Sequence, residues 1–124
     1  MKKVIQTNNA PAAIGPYSQG IVVGDLVFVS GQTPINPIDG SIPEDVEAQV
    51  HQCFKNLKAI LEEAGSSLDK AVKCTVFMKN MDDFVKVNGI YQQYFNGDFP
   101  TRSAVEVARL PKDVLVEIEA IATL

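Results

Sequence analysis

Arg102 lies in the stretch Phe99-Pro100-Thr101-Arg102-Ser103-Ala104-Val105-Glu106-Val107 and is one of two arginines, the other being Arg109. It enters a mostly apolar, strand-like segment just after a proline. A guanidinium in such a place calls for an anionic partner, because an unpaired buried charge is costly. Its planar fork matches a carboxylate held bidentately better than a lysine would. That carboxylate belongs either to this chain or to a ligand. A second candidate follows from alternation in Val114-Leu115-Val116-Glu117-Ile118-Glu119-Ala120-Ile121, where Glu117 and Glu119 share a strand face with Leu115 and Ile121. Such carboxylates either face solvent, pair internally with Arg102 or Arg109, or have a raised pKa and hold and activate a water.

Two further groups are weaker on their own. Tyr17-Ser18-Gln19-Gly20 and Ser30-Gly31-Gln32 place hydroxyls and amides in glycine-bearing loops beside apolar strands. They read as turn chemistry or as the rim of a small pocket. Asn88 stands beside the apolar stripe of a helix, a boundary position or a ligand contact.

Other chemistries lack support. The one histidine, His51, lies next to Val50 but off the apolar stripe of its helix, which reads as a boundary residue. Histidine-based triads and histidine-rich metal sites are therefore excluded. Cys53 and Cys74 have no metal-like spacing and sit among apolar neighbours, as reduced core thiols of a cytoplasmic protein do. No Walker, GxGxxG, GxSxG or CxxC pattern occurs, so cofactor and phosphoryl-transfer chemistry has no support in the sequence. The net charge of −4 argues against a dedicated nucleic-acid binder, and the longest lysine run is Lys2-Lys3. The opening Met1-Lys2-Lys3-Val4-Ile5-Gln6-Thr7 breaks any signal-peptide core, and no apolar run approaches membrane-spanning length.

These side chains must be positioned by one domain of 124 residues, long enough to bury a core without disulfides or metal. The sequence predicts a short edge strand over 3–6 and an ordered loop over 8–18. A hairpin follows, with arms 21–23 and 26–30 joined by Gly24-Asp25, and then a loop over 31–43. Val46, Val50, Cys53, Phe54, Leu57, Ile60, Leu61 and Ala64 recur at helical spacing. Pro43, Glu44 and Asp45 suit the first turn of that helix, and Gly65 suits its end. A strand is expected over 71–78, with Val72, Cys74, Val76 and Met78 on one face. A second helix follows, capped by Asn80, with Phe84, Val87, Tyr91, Tyr94 and Phe95 as its stripe. Final strands are expected over 103–108 and 114–122, joined around Pro111-Lys112-Asp113. The order β-β-β-α-β-α-β-β gives an α+β sandwich with two helices on one sheet face. The strands look apolar on both faces, so the uncovered face is expected to pack against another copy in a closed homo-oligomer.

Together these segments resemble the Rid family (YjgF/RidA, also called L-PSP endoribonucleases) over essentially the whole chain. The resemblance rests on residues 10–20 (Ala-Pro-Ala-Ala-Ile-Gly-Pro-Tyr-Ser-Gln-Gly), Ser30-Gly31-Gln32, Val87-Asn88-Gly89-Ile90-Tyr91, Pro100-Thr101-Arg102-Ser103-Ala104-Val105, Leu110, and Val116-Glu117-Ile118. It implies a chorismate-mutase-like α+β fold and a homotrimer with sites in the subunit clefts. It implies hydrolysis of 2-imino or enamine acids, such as 2-iminopropanoate and 2-iminobutanoate, to 2-keto acids and ammonia, without cofactor or metal. By the same resemblance Arg102 grips the substrate carboxylate and Glu117 places the attacking water. Tyr17, Ser30, Gly31 and Asn88 line the pocket. Ala104 stands where several members have cysteine, so only its backbone amide contributes, and thiol-dependent chemistry is disfavoured. RNA cleavage, a label the family carries, and non-catalytic 2-keto-acid binding are the rival readings.

Overall fold

The computed structural model describes all 124 residues. Its strands and helices alternate in the expected order: β1 (Lys2–Ile5), β2 (Gly20–Val23), β3 (Leu26–Gln32), α1 (Val46–Glu63), β4 (Ala71–Met78), α2 (Phe84–Tyr91), β5 (Thr101–Glu106) and β6 (Val116–Thr123). The strands form a single sheet in the order β1-β2-β3-β6-β4-β5. Only β4 and β5 run parallel, and α2 makes the crossover such a pair requires.

Helix α1 forms because its apolar residues fall on one stripe. Val50, Cys53, Phe54, Leu57, Ile60 and Leu61 are wholly removed from solvent, each large side chain worth ~1.5–3 kcal/mol on burial. Asp45 is its N-cap, accepting from the Ala48 amide at 3.3 Å, so Pro43 and Glu44 precede the helix rather than open it. The helix ends in a Schellman motif. Gly65 takes φ +86°, its amide donates to Glu62 O, and Ser66 N donates to Leu61 O at 2.8 Å. The second helical stretch is divided. Asn80 does cap it, accepting from Asp82 N at 2.9 Å, but it caps a 3-10 turn (Met81–Asp83) that leads into α2. A further 3-10 turn over Gln92–Tyr94 carries Tyr94.

Both helices pack on one face of the sheet, against Val27, Val29, Cys74, Val76, Met78, Val116, Ile118, Ala120 and Ala122. Val72 is exposed rather than aligned with Cys74, because a register shift between Ala71 and Lys73 interrupts the alternation. The last strand starts late because the Leu115 amide donates to Gln49 Oε1 at 2.8 Å instead of joining the ladder. The other face has no layer over it. It carries Leu26, Phe28 and Val105, each 38–40 % exposed, together with Phe77, Ile121, Glu117 and Glu119. No helix is long and apolar enough to cross a membrane.

Candidate active site

Glu117 lies on the uncovered face near the middle of the sheet, opposite Phe77 of β4. Next to it the β3–β6 ladder is irregular. Between the pairs Val29–Ala120 and Gln32–Ile118, Ser30 and Gly31 oppose the single residue Glu119, which makes a β-bulge. The bulge presses the Gly31 backbone against the Glu117 carboxylate, and a Cβ at position 31 would collide with its Oε2. Only glycine permits that approach. Glu117 has no cationic partner, since the chain's ion pairs are Lys58–Glu62 and Arg109–Asp113. Partial burial raises its pKa above the ordinary glutamate value, and the charge of Glu119 adds to the effect.

Around this carboxylate lies a cavity of about 750 Å³. Ser30 and Gly31 form its floor, and Tyr17, Ile14, Ile35 and Pro37 are among its walls. The Ser30 hydroxyl donates to Ser18 O at 2.6 Å, tying the bulge to the loop that carries Tyr17. Lys112 stands at the rim with φ 55°, followed by Asp113 at φ 56°. Two consecutive left-handed side-chain-bearing residues are uncommon. Arg109 holds this turn by donating to both Asp113 carboxylate oxygens, at 2.8 and 3.3 Å.

The walls of the cavity depend on buried amides. Gln19 accepts from Thr7 N at 2.7 Å and donates to Thr7 O and Pro11 O at 3.0 and 2.8 Å, fixing the loop before Tyr17. Asn56, fully buried on α1, donates to Thr33 O and Ile35 O at 3.0 and 2.9 Å. Gln49, two turns earlier on the same α1 face, donates to Pro43 O at 2.8 Å while its Oε1 receives Leu115 N. The sequence reading passed over Gln49 and Asn56. Their signal was two amides seven residues apart, on the side of α1 that is otherwise apolar.

Arg102 occupies different ground. It lies on β5, an edge strand, and is exposed rather than buried. Its register partner is Cys74, which points into the core, so Arg102 leans toward the helix layer. Its Nη1 donates to Asn88 Oδ1 at 2.7 Å, and its guanidinium carbon lies 4.8 Å from the Tyr91 ring centre and 5.5 Å from that of Phe84. No carboxylate reaches it. Asn88, Tyr91, Gln92, Phe99, Pro100 and Arg102 line a cleft of about 490 Å³. Ala104, two residues along the same strand face, is half-buried against the core.

The expected site residues thus fall into two groups. Tyr17, Ser30, Gly31 and Glu117 meet in one cavity, Asn88 and Arg102 line the other, and Ala104 lies two residues along β5 outside it, packed on the core. Because paired residues point to the same side, Arg102 (with Cys74) and Glu117 (with Phe77) lie on opposite faces of the sheet. Within one copy they cannot form an ion pair, which removes that reading of both. His51 is half-buried with its Nδ1 2.5 Å from the Tyr94 hydroxyl, apart from either group. A third hollow of about 510 Å³ beside α1, lined by Lys55, Lys58, Glu62 and Glu63, contains none of the candidates. No three His, Cys, Asp or Glu side chains cluster closely enough to hold a metal ion.

Residues 7–124 match the family model described as Endoribonuclease L-PSP. The chain is 55% identical over 125 residues to the 2-iminobutanoate/2-iminopropanoate deaminase of Escherichia coli strain K12, covering 98% of each. Among solved structures, YyfA of Yersinia pestis, from the conserved Rid protein family, superposes with a TM-score of 0.97 at 52% identity, covering 100% of both chains. Escherichia coli TdcF, solved with bound serine, gives 0.95 at 49% identity over 98% of each chain.

Proposed function

This chain belongs to the Rid family, the Endoribonuclease L-PSP proteins, and from that premise we propose that it is a hydrolytic deaminase of 2-imino acids. Its substrates on this reading are 2-iminopropanoate and 2-iminobutanoate, and its products are 2-keto acids and ammonia. The observation that carries the reading is a pair of opposite charges that the fold leaves unneutralised. Arg109 is tied to Asp113, whereas Arg102 has no carboxylate and Glu117 no cation.

The chemistry follows from those two groups. Arg102 retains free N–H donors in a planar fork, suited to the acid end of the substrate. The iminium carbon is already electrophilic, so the protein need only orient it and deliver water. Glu117, its pKa raised by partial burial, accepts a proton from that water as the C–O bond forms. Glu117 returns that proton to the carbinolamine nitrogen; as the C–N bond breaks the C=O bond forms, the hydroxyl proton passes back to Glu117, and the departing ammonia carries it off as ammonium. Ser30, the Gly31 backbone, Tyr17, Asn88 and the Ala104 backbone amide line the remaining walls.

We place the reaction between copies of the chain. The Arg102 cleft of one copy completes the Glu117 cavity of the next in a homotrimer of single Rid domains, working in the cytoplasm. The half-exposed apolar side chains of the uncovered sheet face support such an assembly. The net charge of −4 weighs against RNA as the principal substrate.

The test is turnover of imine released in situ by a threonine dehydratase. Arg102→Ala should lower kcat/KM by roughly 100- to 1,000-fold, the loss expected for a charge-assisted contact of about 3–4 kcal/mol, with the oligomer intact by sedimentation. Unchanged turnover overturns the assignment. Mixed oligomers of Arg102→Ala and Glu117→Gln chains should recover activity that neither homo-oligomer has, because some clefts then hold both native residues. A lack of recovery would overturn the placing of both groups in one cleft.

A further inference from the structure

We propose that the rings of Phe84 and Tyr91, with the Asn88 amide between them, form a neutral cradle that positions Arg102 without neutralising it. The proposal rests on the reading that Arg102 grips the substrate's carboxylate. Phe84, Asn88 and Tyr91 are spaced i, i+4 and i+7 on α2, so they share one helix face. That face meets the guanidinium, with both ring centres within 6 Å and the amide oxygen on Nη1. Rings at that range attract the cation, and the hydrogen bond sets the direction of the fork.

Neutrality is the second feature. The buried Tyr91 hydroxyl stands beside the Cys74 thiol, and both lie under Arg102. Burial raises both pKa values, so each keeps its proton at physiological pH and neither supplies an anion. Arg109 shows the opposite arrangement in the same chain, with its Nε and Nη2 both donating to the Asp113 carboxylate. An exposed arginine on an edge strand otherwise has rotamer entropy to lose when it binds. The cradle removes part of that cost beforehand and leaves the charge for the ligand. Phe84 and Tyr91 are therefore positioning residues.

The experiment measures KM and kcat with 2-iminobutanoate, and separately the dissociation constant for 2-oxobutanoate by calorimetry, on the intact oligomer. Phe84→Leu keeps the apolar bulk but removes the ring. It should raise both KM and the dissociation constant roughly two- to fivefold, the value of one exposed cation–π contact, with kcat unchanged. Phe84→Tyr and Tyr91→Phe keep the rings and should retain wild-type affinity. Asn88→Asp, which supplies an internal anion, should weaken keto-acid binding more than Phe84→Leu does.

A fall in kcat at constant KM in Phe84→Leu overturns the cradle, as does affinity equal to wild type. Loss of affinity in Phe84→Tyr, or Asn88→Asp binding as tightly as wild type, overturns it too. If wild type binds 2-oxobutanoate with this ranking of variants but turns over no imine, the cradle stands and the deaminase reading falls. If wild type turns over imine and the ranking is absent, the reverse holds.

Discussion

The Arg102 and Glu117 regions keep their charges unpaired by opposite physics. Arg102 is exposed at the sheet edge, where water already solvates the ion, and its surroundings only aim it. Glu117 is half-buried on a central strand, where losing water makes its proton harder to give up. A group that binds an anion needs full charge and direction. A group that moves a proton needs a pKa displaced toward working pH. The fold provides the first with helix side chains and the second with a glycine bulge and depth in the sheet. Changes in the two regions should therefore leave different kinetic signatures.

The largest effect is expected at Glu117. Glu117→Gln should lower kcat by roughly 10²- to 10⁴-fold, the usual worth of a positioned base, while the dissociation constant for 2-oxobutanoate stays near wild type. Arg102 variants should lose that affinity instead. The pH dependence carries a sign. Glu117 acts only when ionised and its pKa is raised, so kcat should climb with pH through a limb lying above the ordinary glutamate range. Glu119→Gln removes the lesser of the two causes and should move that limb to lower pH.

Stability should respond in the same window. Between the unfolded and the raised folded pKa the native state binds more protons, so stability declines as pH rises there. Thermal unfolding of Glu117→Gln should accordingly gain on wild type as pH is raised from 4 to 7. A constant difference between the two would mean that Glu117 titrates normally.

Gly31→Ala comes next. The added methyl meets the Glu117 carboxylate, which must swing away or force the bulge apart. Because the atom met is the far end of a flexible side chain, the fold yields at little cost, but a displaced base can lose on the order of 100-fold in rate. The change should appear in kcat, with keto-acid affinity at the Arg102 cleft largely retained. Equal loss of both would show that the bulge supports the whole assembly rather than the base.

Much of this was legible in the sequence. Hydrophobic period located α1 cleanly and β4 from Cys74 onward, where the buried faces recur at spacings near 3.6 and 2, but it misplaced Val72, which the register shift turns outward. Alternation put Glu117 and Glu119 on one face, and the structure keeps them there. What period could not reveal was pairing. That β5 lies at the edge and parallel to β4, leaving Arg102 exposed and on the face opposite Glu117, depends on strand order, to which local pattern is blind. The Ser30-Gly31 bulge was equally hidden, since it exists only relative to β6. Gln49 and Asn56 were missed for a third reason. A polar residue in an apolar stripe reads as a flaw until the loop carbonyls it serves are in place.

The buried amides give a smaller, purely structural contrast between the regions. Gln19→Ala would strip partners from Thr7 N, Thr7 O and Pro11 O beside the Glu117 cavity. Unsatisfied buried backbone groups should cost about 2–4 kcal/mol in total, read as a lowered Tm. No buried amide of this kind serves the Arg102 cleft, whose residues lie on α2, the 3-10 turn after it, β5 and the two residues before that strand.

The smallest effect tests that cleft from beneath. The Tyr91 hydroxyl is buried and has no hydrogen-bond partner, with only the Cys74 thiol beside it. A hydroxyl held in that way costs free energy that phenylalanine does not incur. Tyr91→Phe should therefore leave the fold as stable as before or raise it by about 1 kcal/mol, a Tm rise of roughly 3–6 °C. Its ring still faces Arg102, so keto-acid affinity should not move. A fall of 1 kcal/mol or more would mean that the hydroxyl and the Cys74 thiol sustain each other, and that the floor under Arg102 is a polar contact instead of an apolar one. Measuring Tm and affinity on the same variant isolates the hydroxyl, since the ring, packed against Phe54 and Phe95 as well as facing Arg102, is kept.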